Sequence, residues 1–190
     1  SSCTAGLHLI CLALNIGKGD EVIVPSQSHT ATSHAVEYTG AKSIFADVDK
    51  ITGNILIDEI KSKFNKRTKG VIPVHMAGEP CQMDEIKNFC DKNNLVLIED
   101  CAHAHGALWK GKQAGSWGIA GSYSFYATKT MPMGDAGVVV SHDKKFLDWV
   151  CKYRNYGKEV IDGVVTYPIK NGFNYRLSDF IAALGLVQLK

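Results

Sequence analysis

The sequence lacks several signatures that would assign a function at once. No Gly-x-Gly-x-x-Gly turn follows its first apolar strand, which disfavours a nicotinamide-dinucleotide enzyme. It also has no Walker-type phosphate loop and no Gly-x-Ser-x-Gly nucleophile elbow. No leader-like segment or long apolar run is present, so we expect a cytoplasmic protein with no membrane partner.

Charge of one sign is scarce as well. The formal net charge is only +2, and the most basic stretch, residues 61–69, is best interpreted as a solvated helix end and loop. We therefore predict no nucleic-acid partner.

Cysteines are present, but not in a metal-binding spacing. Six occur among 190 residues, none in a Cys-x-x-Cys motif, and apolar neighbours suggest reduced, buried thiols. The run from Cys101 through His103 to His105 offers zinc-type ligands. No second ligand pair stands at a suitable spacing, so we predict no metal site.

Helical and strand-like segments alternate along the chain, which predicts an α/β domain with a largely parallel sheet. The chain starts at Ser1 without methionine and stops inside a predicted helix, so we expect one domain truncated at both ends. Predicted helices cover 3–15, 32–38, 58–64, 83–93, 144–153 and 178–190. Predicted strands cover 21–25, 43–48, 70–75, 95–98, 122–125 and 137–141, with a loop or hairpin over 164–176. Pro73 indicates an irregular or edge position for the third strand.

Asp100 and Lys129 form the pairing that a pyridoxal phosphate (PLP) enzyme requires. Asp100 directly follows a continuously apolar strand, so it should project into the ligand crevice of an open α/β sheet. Lys129 lies just beyond the next strand, with hydroxyls nearby at Ser124 and Thr128. The lysine amine would form a Schiff base with the cofactor aldehyde, and the acid would keep the pyridine nitrogen protonated. Gly134 and Gly137 should leave room around the lysine.

Three further segments suit the same cofactor. The predicted helix after Ser2 offers backbone N–H groups and the Thr4 hydroxyl to a phosphate. Ser124 could donate to that phosphate too. His29 follows the first strand and could stack on a flat ring or remain a solvated loop residue.

Together these segments resemble the DegT/DnrJ/EryC1/StrS sugar aminotransferases, which belong to the fold type I PLP enzymes. The resemblance spans essentially the whole chain. The residues that carry it are Ser2–Leu9, Gly17–Pro25, Arg67–Lys69, Pro73–His75, Ile98–Ala107, Ser124–Lys129 and Gly172–Leu177. Two positions depart from the family pattern: Cys3 replaces a common glycine, and Gly134–Gly137 reads Gly-Asp-Ala-Gly instead of Gly-Glu-Gly-Gly.

The resemblance implies the large three-layer α/β/α domain, with the small carboxyl-terminal domain missing. It implies that Lys129 forms the Schiff base with the cofactor and that Asp100 pairs with the pyridinium nitrogen. It also implies that His103 lies near the ring, that His29 occupies the stacking position, and that Cys3, Thr4 and Ser124 surround the phosphate. Asn174 would reach the phosphate of a partner subunit, which implies a homodimer with shared sites.

The implied reaction transfers an amino group from L-glutamate, or glutamine, to a keto group of a nucleotide-linked deoxysugar. Lysine at position 129 favours transamination, because related dehydratases carry histidine there. Two alternatives stay open: a keto-inositol acceptor, or a non-catalytic PLP-binding regulatory protein.

Overall fold

Helices and strands alternate in the computed structural model, which describes residues 1–189. The helices are α1 (Cys3–Ala13), α2 (Ala31–Glu37), α3 (Ile57–Lys63), α4 (Met83–Lys92), α5 (Lys144–Tyr153) and α6 (Asp179–Gln188). The main sheet contains β1 (Glu21–Pro25), β2 (Lys42–Ala46), β3 (Thr68–Val71), β4 (Val96–Asp100), β7 (Ala120–Ser124) and β8 (Gly137–Val140). Two small hairpins pair β5 (Leu108–Trp109) with β6 (Lys112–Gln113), and β9 (Glu159–Ile161) with β10 (Val164–Thr166).

The main sheet is mixed but mostly parallel. Its strand order is β2-β1-β3-β4-β7-β8, and only the β7–β8 pair is antiparallel. The parallel strands therefore present their carboxyl ends at one edge, which is where ligands bind in open α/β sheets. The predicted fold class is confirmed.

Alternating strand residues fill two separate hydrophobic cores, one on each face of the sheet. Val22 and Ile98 point into the core shared with α1, α2 and α5. Ile23 and Leu97, their immediate neighbours, point into the core shared with α3 and α4. Because successive strand side chains point to opposite faces, this split produces the three-layer α/β/α arrangement.

The third strand differs from its prediction in extent and in place. It ends at Val71, before Pro73, and it lies between β1 and β4 instead of at an edge. Proline has no N–H to donate, so the ladder breaks there. Its carbonyl still accepts from the Asp100 amide at 3.0 Å, and Val74 bridges to the end of β4. The irregular position was therefore correct, and the edge position was wrong.

The two hairpins were only partly predicted. The β9–β10 hairpin begins before the segment assigned to a loop or hairpin, and its strands have three residues each. The β5–β6 hairpin was not predicted, because two-residue strands leave no alternation to detect. Its turn places Lys110 at φ 49° and Gly111 at φ 77°, as the tight turns of hairpins require.

Among residues 1–189, no helix has the length and apolar character needed to cross a bilayer.

Candidate active site

Asp100 is the last residue of β4, at the carboxyl edge of the sheet, and its side chain is only 4% exposed. Its Oδ2 accepts from the Thr32 hydroxyl at 2.8 Å, and its Oδ1 accepts from the Ala102 amide at 3.1 Å. The Cys3 thiol lies 3.8 Å from Oδ1. A carboxylate can accept about four hydrogen bonds, so Asp100 retains acceptor capacity toward the cleft that it lines.

Lys129 lies in the loop after β7, where it is half-buried. The loop is closed at its base, because the Phe125 amide donates to the Ala136 carbonyl and the Met133 amide donates to the Phe125 carbonyl, both at 2.9 Å. A further bond, from the Lys129 amide to the Tyr126 carbonyl at 2.9 Å, forms the turn that carries the lysine. The backbone around the amine is thus held by hydrogen bonds.

The start of α1 forms a third side of the site. Ser2 is the N-cap, and its hydroxyl accepts from the Ala5 amide at 3.1 Å. The first amides of a helix have no intrahelical partner, so those of Cys3 and Thr4 are available to an anion. Ser124, the last residue of β7, lines the same cleft as Thr4.

Gly137 explains how this helix start reaches the sheet. A Cβ at this position would lie 2.2 Å from the Ser2 carbonyl carbon and 2.5 Å from the Cys3 amide nitrogen. Only glycine permits this approach. The missing side chain of Gly137 therefore makes room for the start of α1, which lines the same cleft as Lys129.

Cys3 is buried beneath the cleft between Asp100 and β7. Its thiol donates to the Ser122 carbonyl at 3.3 Å, and the Ser122 hydroxyl donates to the Cys3 carbonyl at 3.1 Å. Burial, and secondarily the Asp100 charge, raise the pKa of the Cys3 thiol well above its usual value. Cys3 therefore stays an uncharged thiol.

His29 and His103 both line the cleft. His29 Nδ1 accepts from the Ala31 amide at 3.1 Å, and His103 Nδ1 accepts from the Ala77 amide at 3.3 Å. Burial, and then the Lys129 charge, lower the pKa of His103, while Asp100 opposes them. His103 is therefore biased toward its neutral form, with Nε2 carrying the proton.

The cleft has a volume of about 740 Å³, which is within the usual range for small-molecule sites. It brings together every predicted site residue except Asn174. The lining comprises Ser2, Cys3, Thr4, Leu7, Gln27, Ser28, His29, Ala31, Val74, Met76, Asp100, Ala102, His103, Ser124, Tyr126, Thr128, Lys129 and Asp135.

Comparison with known proteins decides the family. The sequence model of the DegT/DnrJ/EryC1/StrS aminotransferase family matches residues 1–190. The chain belongs to this family. A GDP-perosamine synthase from Escherichia coli O157:H7 is 40% identical over 190 residues, which are all of this chain and 52% of that protein. The chain thus spans about half the length of the curated relatives it matches.

Solved structures of aminotransferase-family enzymes share the fold. An aminotransferase from Psychrobacter cryohalolentis superimposes with a TM-score of 0.94 at 38% identity, over all of this chain and 50% of that one. A 3-amino-5-hydroxybenzoic acid synthase superimposes with a TM-score of 0.94 at 32% identity, over the same shares. The predicted resemblance is confirmed, and family membership implies PLP as the cofactor.

The residues present fit that cofactor. The cleft offers a buried carboxylate with free acceptor capacity, a lysine amine, and a helix start whose amides and neighbouring hydroxyls suit a phosphate. Each group matches one part of PLP: ring nitrogen, aldehyde and phosphate.

Asn174 lies away from the cleft. It is exposed, its backbone pairs with Asn155, and its Oδ1 accepts from Arg176 Nε at 2.9 Å. A single chain therefore does not bring Asn174 to its own site. Its expected reach into a partner subunit stays a prediction.

Glu99, one residue before Asp100, is fully buried on the other face of β4. Its Oε1 accepts from the Trp117 and Gly118 amides at 2.7 and 2.8 Å, and its Oε2 accepts from the Gly115 amide at 2.7 Å. His75 Nε2 lies 3.2 Å from Oε2. Since His75 Nδ1 accepts from the Cys81 amide at 3.1 Å, the ring proton is on Nε2 and is donated to Glu99.

This cluster also bears on the metal prediction. Ligand atoms of His75, Glu99 and Cys101 lie within 4.8 Å of one another. The carboxylate already accepts from three backbone N–H groups and an imidazole, so a cation would face N–H donors. The arrangement is that of a hydrogen-bonded anchor. His105, from the run tested for zinc, instead packs against Tyr123 and Phe125.

Thr32 is the site residue that sequence reasoning missed. It is 2% exposed in the first turn of α2 and donates to Asp100 across 68 residues of sequence. The available signal was its position: a hydroxyl at a helix start, just after a strand that ends at the ligand edge.

Proposed function

We propose that this chain forms the cofactor-binding part of a PLP-dependent aminotransferase. Its substrates would be L-glutamate (or glutamine) as donor and a keto group on a nucleotide-linked deoxysugar as acceptor. The observation that carries the proposal is that Asp100 and Lys129 line one cleft at the carboxyl edge of the sheet. Family membership supports the reaction class.

PLP, when bound, supplies an aldehyde that bonds to amines and a ring that accepts an electron pair. Lys129 Nζ would be the amine that holds the aldehyde covalently and later moves a proton to and from the substrate carbon. Asp100 would keep the ring nitrogen protonated through its ionised carboxylate. His29 would lie against the ring face, and the neutral His103 would donate from Nε2 near the ring edge.

The phosphate would bind at the start of α1. Its partners would be the amides of Cys3 and Thr4 and the hydroxyls of Thr4 and Ser124. The favourable electrostatic potential at a helix N-terminus supports an anion there. The uncharged Cys3 thiol adds no competing negative charge.

The enzyme would act as a homodimer, with Asn174 reaching the phosphate bound by the partner subunit. The exposure of Asn174 outside its own cleft is compatible with that role. Five of the six cysteines are buried free thiols, which supports a reducing, cytoplasmic location.

The relative named GDP-perosamine synthase supports a GDP-linked sugar as the acceptor. The structural match to a 3-amino-5-hydroxybenzoic acid synthase supports a second candidate, a carbocyclic ketone such as a keto-inositol. The 40% identity of the first protein, against 32% for the second, favours the nucleotide sugar.

Absorption spectroscopy tests the proposal. The protein with PLP should show a visible band that borohydride fixes covalently to the chain. Lys129→Ala should lose this band. Lys110→Ala should keep it, because Lys110 pairs with Asp84 at 2.6 Å on the β5–β6 hairpin. A folded parent without the band would contradict the assignment of Lys129.

Isotope transfer tests the substrates. With 15N-amino glutamate or 15N-amino glutamine, mass spectrometry should detect label in the amine formed from a GDP-linked keto sugar. Label in an aminocyclitol formed from a keto-inositol, and none in the sugar, would favour the second candidate. Binding of PLP without any label transfer would instead support a regulatory protein.

A further inference from the structure

The Asp100 carboxylate receives a hydrogen bond from a residue outside the predicted set, the buried hydroxyl of Thr32. The Thr32 Oγ1 to Asp100 Oδ2 distance is 2.8 Å, and the two side chains are 2% and 4% exposed. Hydrogen bonds to a charged acceptor are stronger than those between neutral groups, and burial strengthens them further. Thr32 therefore fixes the orientation of one carboxylate oxygen.

The direction of the next hydrogen bond follows from the first. Ser28 Oγ lies 2.8 Å from Thr32 Oγ1. An ionised carboxylate can only accept, so Thr32 donates its single proton to Asp100 and must accept from the Ser28 hydroxyl. Ser28 and Thr32 thus form a chain of two hydroxyls that ends on Asp100.

This hydroxyl chain also holds the loop that carries His29. Ser28 precedes His29 after β1, and Thr32 follows it in the first turn of α2. Thr32 bonds to Asp100 at the end of β4, and Ser28 bonds to Thr32. The same two hydrogen bonds therefore tie both flanks of the His29 loop to Asp100.

We propose that Thr32, with Ser28 behind it, is a positioning residue that aligns Asp100 with the cofactor ring nitrogen and the His29 loop with the ring face. The inference rests on the proposed function, since it concerns how PLP is held. It adds a specific requirement: a hydroxyl at position 32, independent of side-chain shape.

Three variants separate the hydroxyl from the shape. Thr32→Val keeps the shape and removes the hydroxyl, whereas Thr32→Ser keeps the hydroxyl and removes a methyl group. Thr30→Val is the matched control, because Thr30 is exposed in the same loop and makes no side-chain cap bond. Binding of PLP and the 15N chemical shift of its ring nitrogen are the readouts.

Thr32→Val should weaken PLP binding about 10-fold and move the ring-nitrogen shift toward the unprotonated value, since one hydrogen bond to a charged group is lost. Thr32→Ser and Thr30→Val should stay within about 2-fold of the parent, a change too small to equal the loss of such a bond. Parental binding and shift in Thr32→Val would overturn the inference. Equal losses in Thr32→Val and Thr32→Ser would overturn it too, because shape alone would then matter.

Two further measurements keep the test decisive. If Thr32→Val does not fold, Ser28→Ala should move the ring-nitrogen shift in the same direction by a smaller amount, and an unmoved shift would overturn the inference. A parent that binds no PLP refutes the proposed function itself. A parent that binds PLP through Lys129, with unaffected Thr32 and Ser28 variants, refutes only the role of Thr32.

Discussion

Glu99 and Asp100 are adjacent acids on one strand, yet their surroundings differ completely. The four donors around Glu99 occupy both of its oxygens and hold residues 115–118 against β4. Asp100 accepts from one backbone amide and one hydroxyl, with the Cys3 thiol 3.8 Å away, and its remaining acceptor capacity faces the cleft. Saturated hydrogen bonding makes the first acid a structural anchor, and unsaturated hydrogen bonding leaves the second available to a ligand.

The segments that cover the two faces of β4 create this difference, because the strand itself buries both acids. The chain returning to β7 lays its amides over Glu99, where Gly118 approaches so closely that a Cβ would lie 2.2 Å from the Leu97 carbonyl oxygen. On the other face, α1 and the His29 loop surround Asp100 with side chains and leave an opening. Backbone amides close off Glu99, whereas the side chains around Asp100 leave it open to the cleft.

Glu99→Gln should cause the largest loss of stability, because the amide group would turn its own N–H atoms toward donors. We expect the free energy of unfolding to fall by about 3 kcal/mol or more, as when one partner of a buried charged network is removed. Urea unfolding measures this. Glu37→Gln, at an exposed helix end, should change it by less than about 0.5 kcal/mol. Equal effects of the two substitutions would remove the contrast between anchor and site.

Asp100→Asn should affect activity strongly and stability only weakly. The free energy of unfolding should change by about 1 kcal/mol, the value of one hydrogen bond. Transamination should fall by about 100-fold or more, because a neutral amide cannot stabilise charge on the ring nitrogen. Steady-state kinetics measures the fall, with Asp47→Asn as the matched exposed acid just after β2. Near-parental activity of Asp100→Asn would mean that Asp100 is not the acid that stabilises charge on the ring nitrogen.

His75→Leu probes the anchor from its other end. The change removes the proton donated to Glu99 and the acceptor for the Cys81 amide. We expect the free energy of unfolding to fall by about 2 kcal/mol, with PLP affinity nearly unchanged. His142→Leu, an exposed histidine, is the control. A loss of PLP affinity larger than the loss of stability would show that the two faces are coupled.

Lys129→Met should produce the smallest change, a partial rise in the His103 pKa of the cofactor-free protein. The lysine charge is the second cause of the lowered value, so burial should keep part of the shift. NMR titration of His103 measures this, with Lys110→Met as control. An unchanged His103 pKa in Lys129→Met would mean that the lysine charge does not reach it.

The sign for stability follows from the same shift. A histidine with a lowered pKa in the folded state is protonated more readily in the unfolded chain. Its contribution is present above the ordinary histidine pKa and is lost as the pH falls through the folded value. Lys129→Met should therefore reduce the loss of stability that His103 causes at acidic pH.

Much of the fold was predictable, because the spacing of apolar residues along the sequence indicates which segments are helices and which are strands. The first strand has the predicted bounds, and α5 does too. The placement of β3 inside the sheet was not predictable from Pro73, since the proline lies beyond the strand and pairing with the end of β4 resumes at Val74.

The site was predictable where residues follow strands or begin a helix, and unpredictable where contacts join distant segments. Asp100, Lys129, His29 and Thr4 fall in the first class. The contacts of Asp100 with Thr32 and with Cys3 span 68 and 97 residues and depend on α1 and α2 packing on one face of the sheet. Strand alternation alone places Glu99 and Asp100 on opposite faces, without telling which face is open.

The contact between Gly137 and the start of α1 has a consequence for synthesis of the protein. The close approach of α1 to β7 and β8 forms only when these strands exist, more than 110 residues later, and Gly6 in that helix packs against Ser122 and Val139. Contacts this distant in sequence slow folding. During synthesis on the ribosome, the start of α1 therefore lacks its contacts with β7 and β8 until both strands have been made.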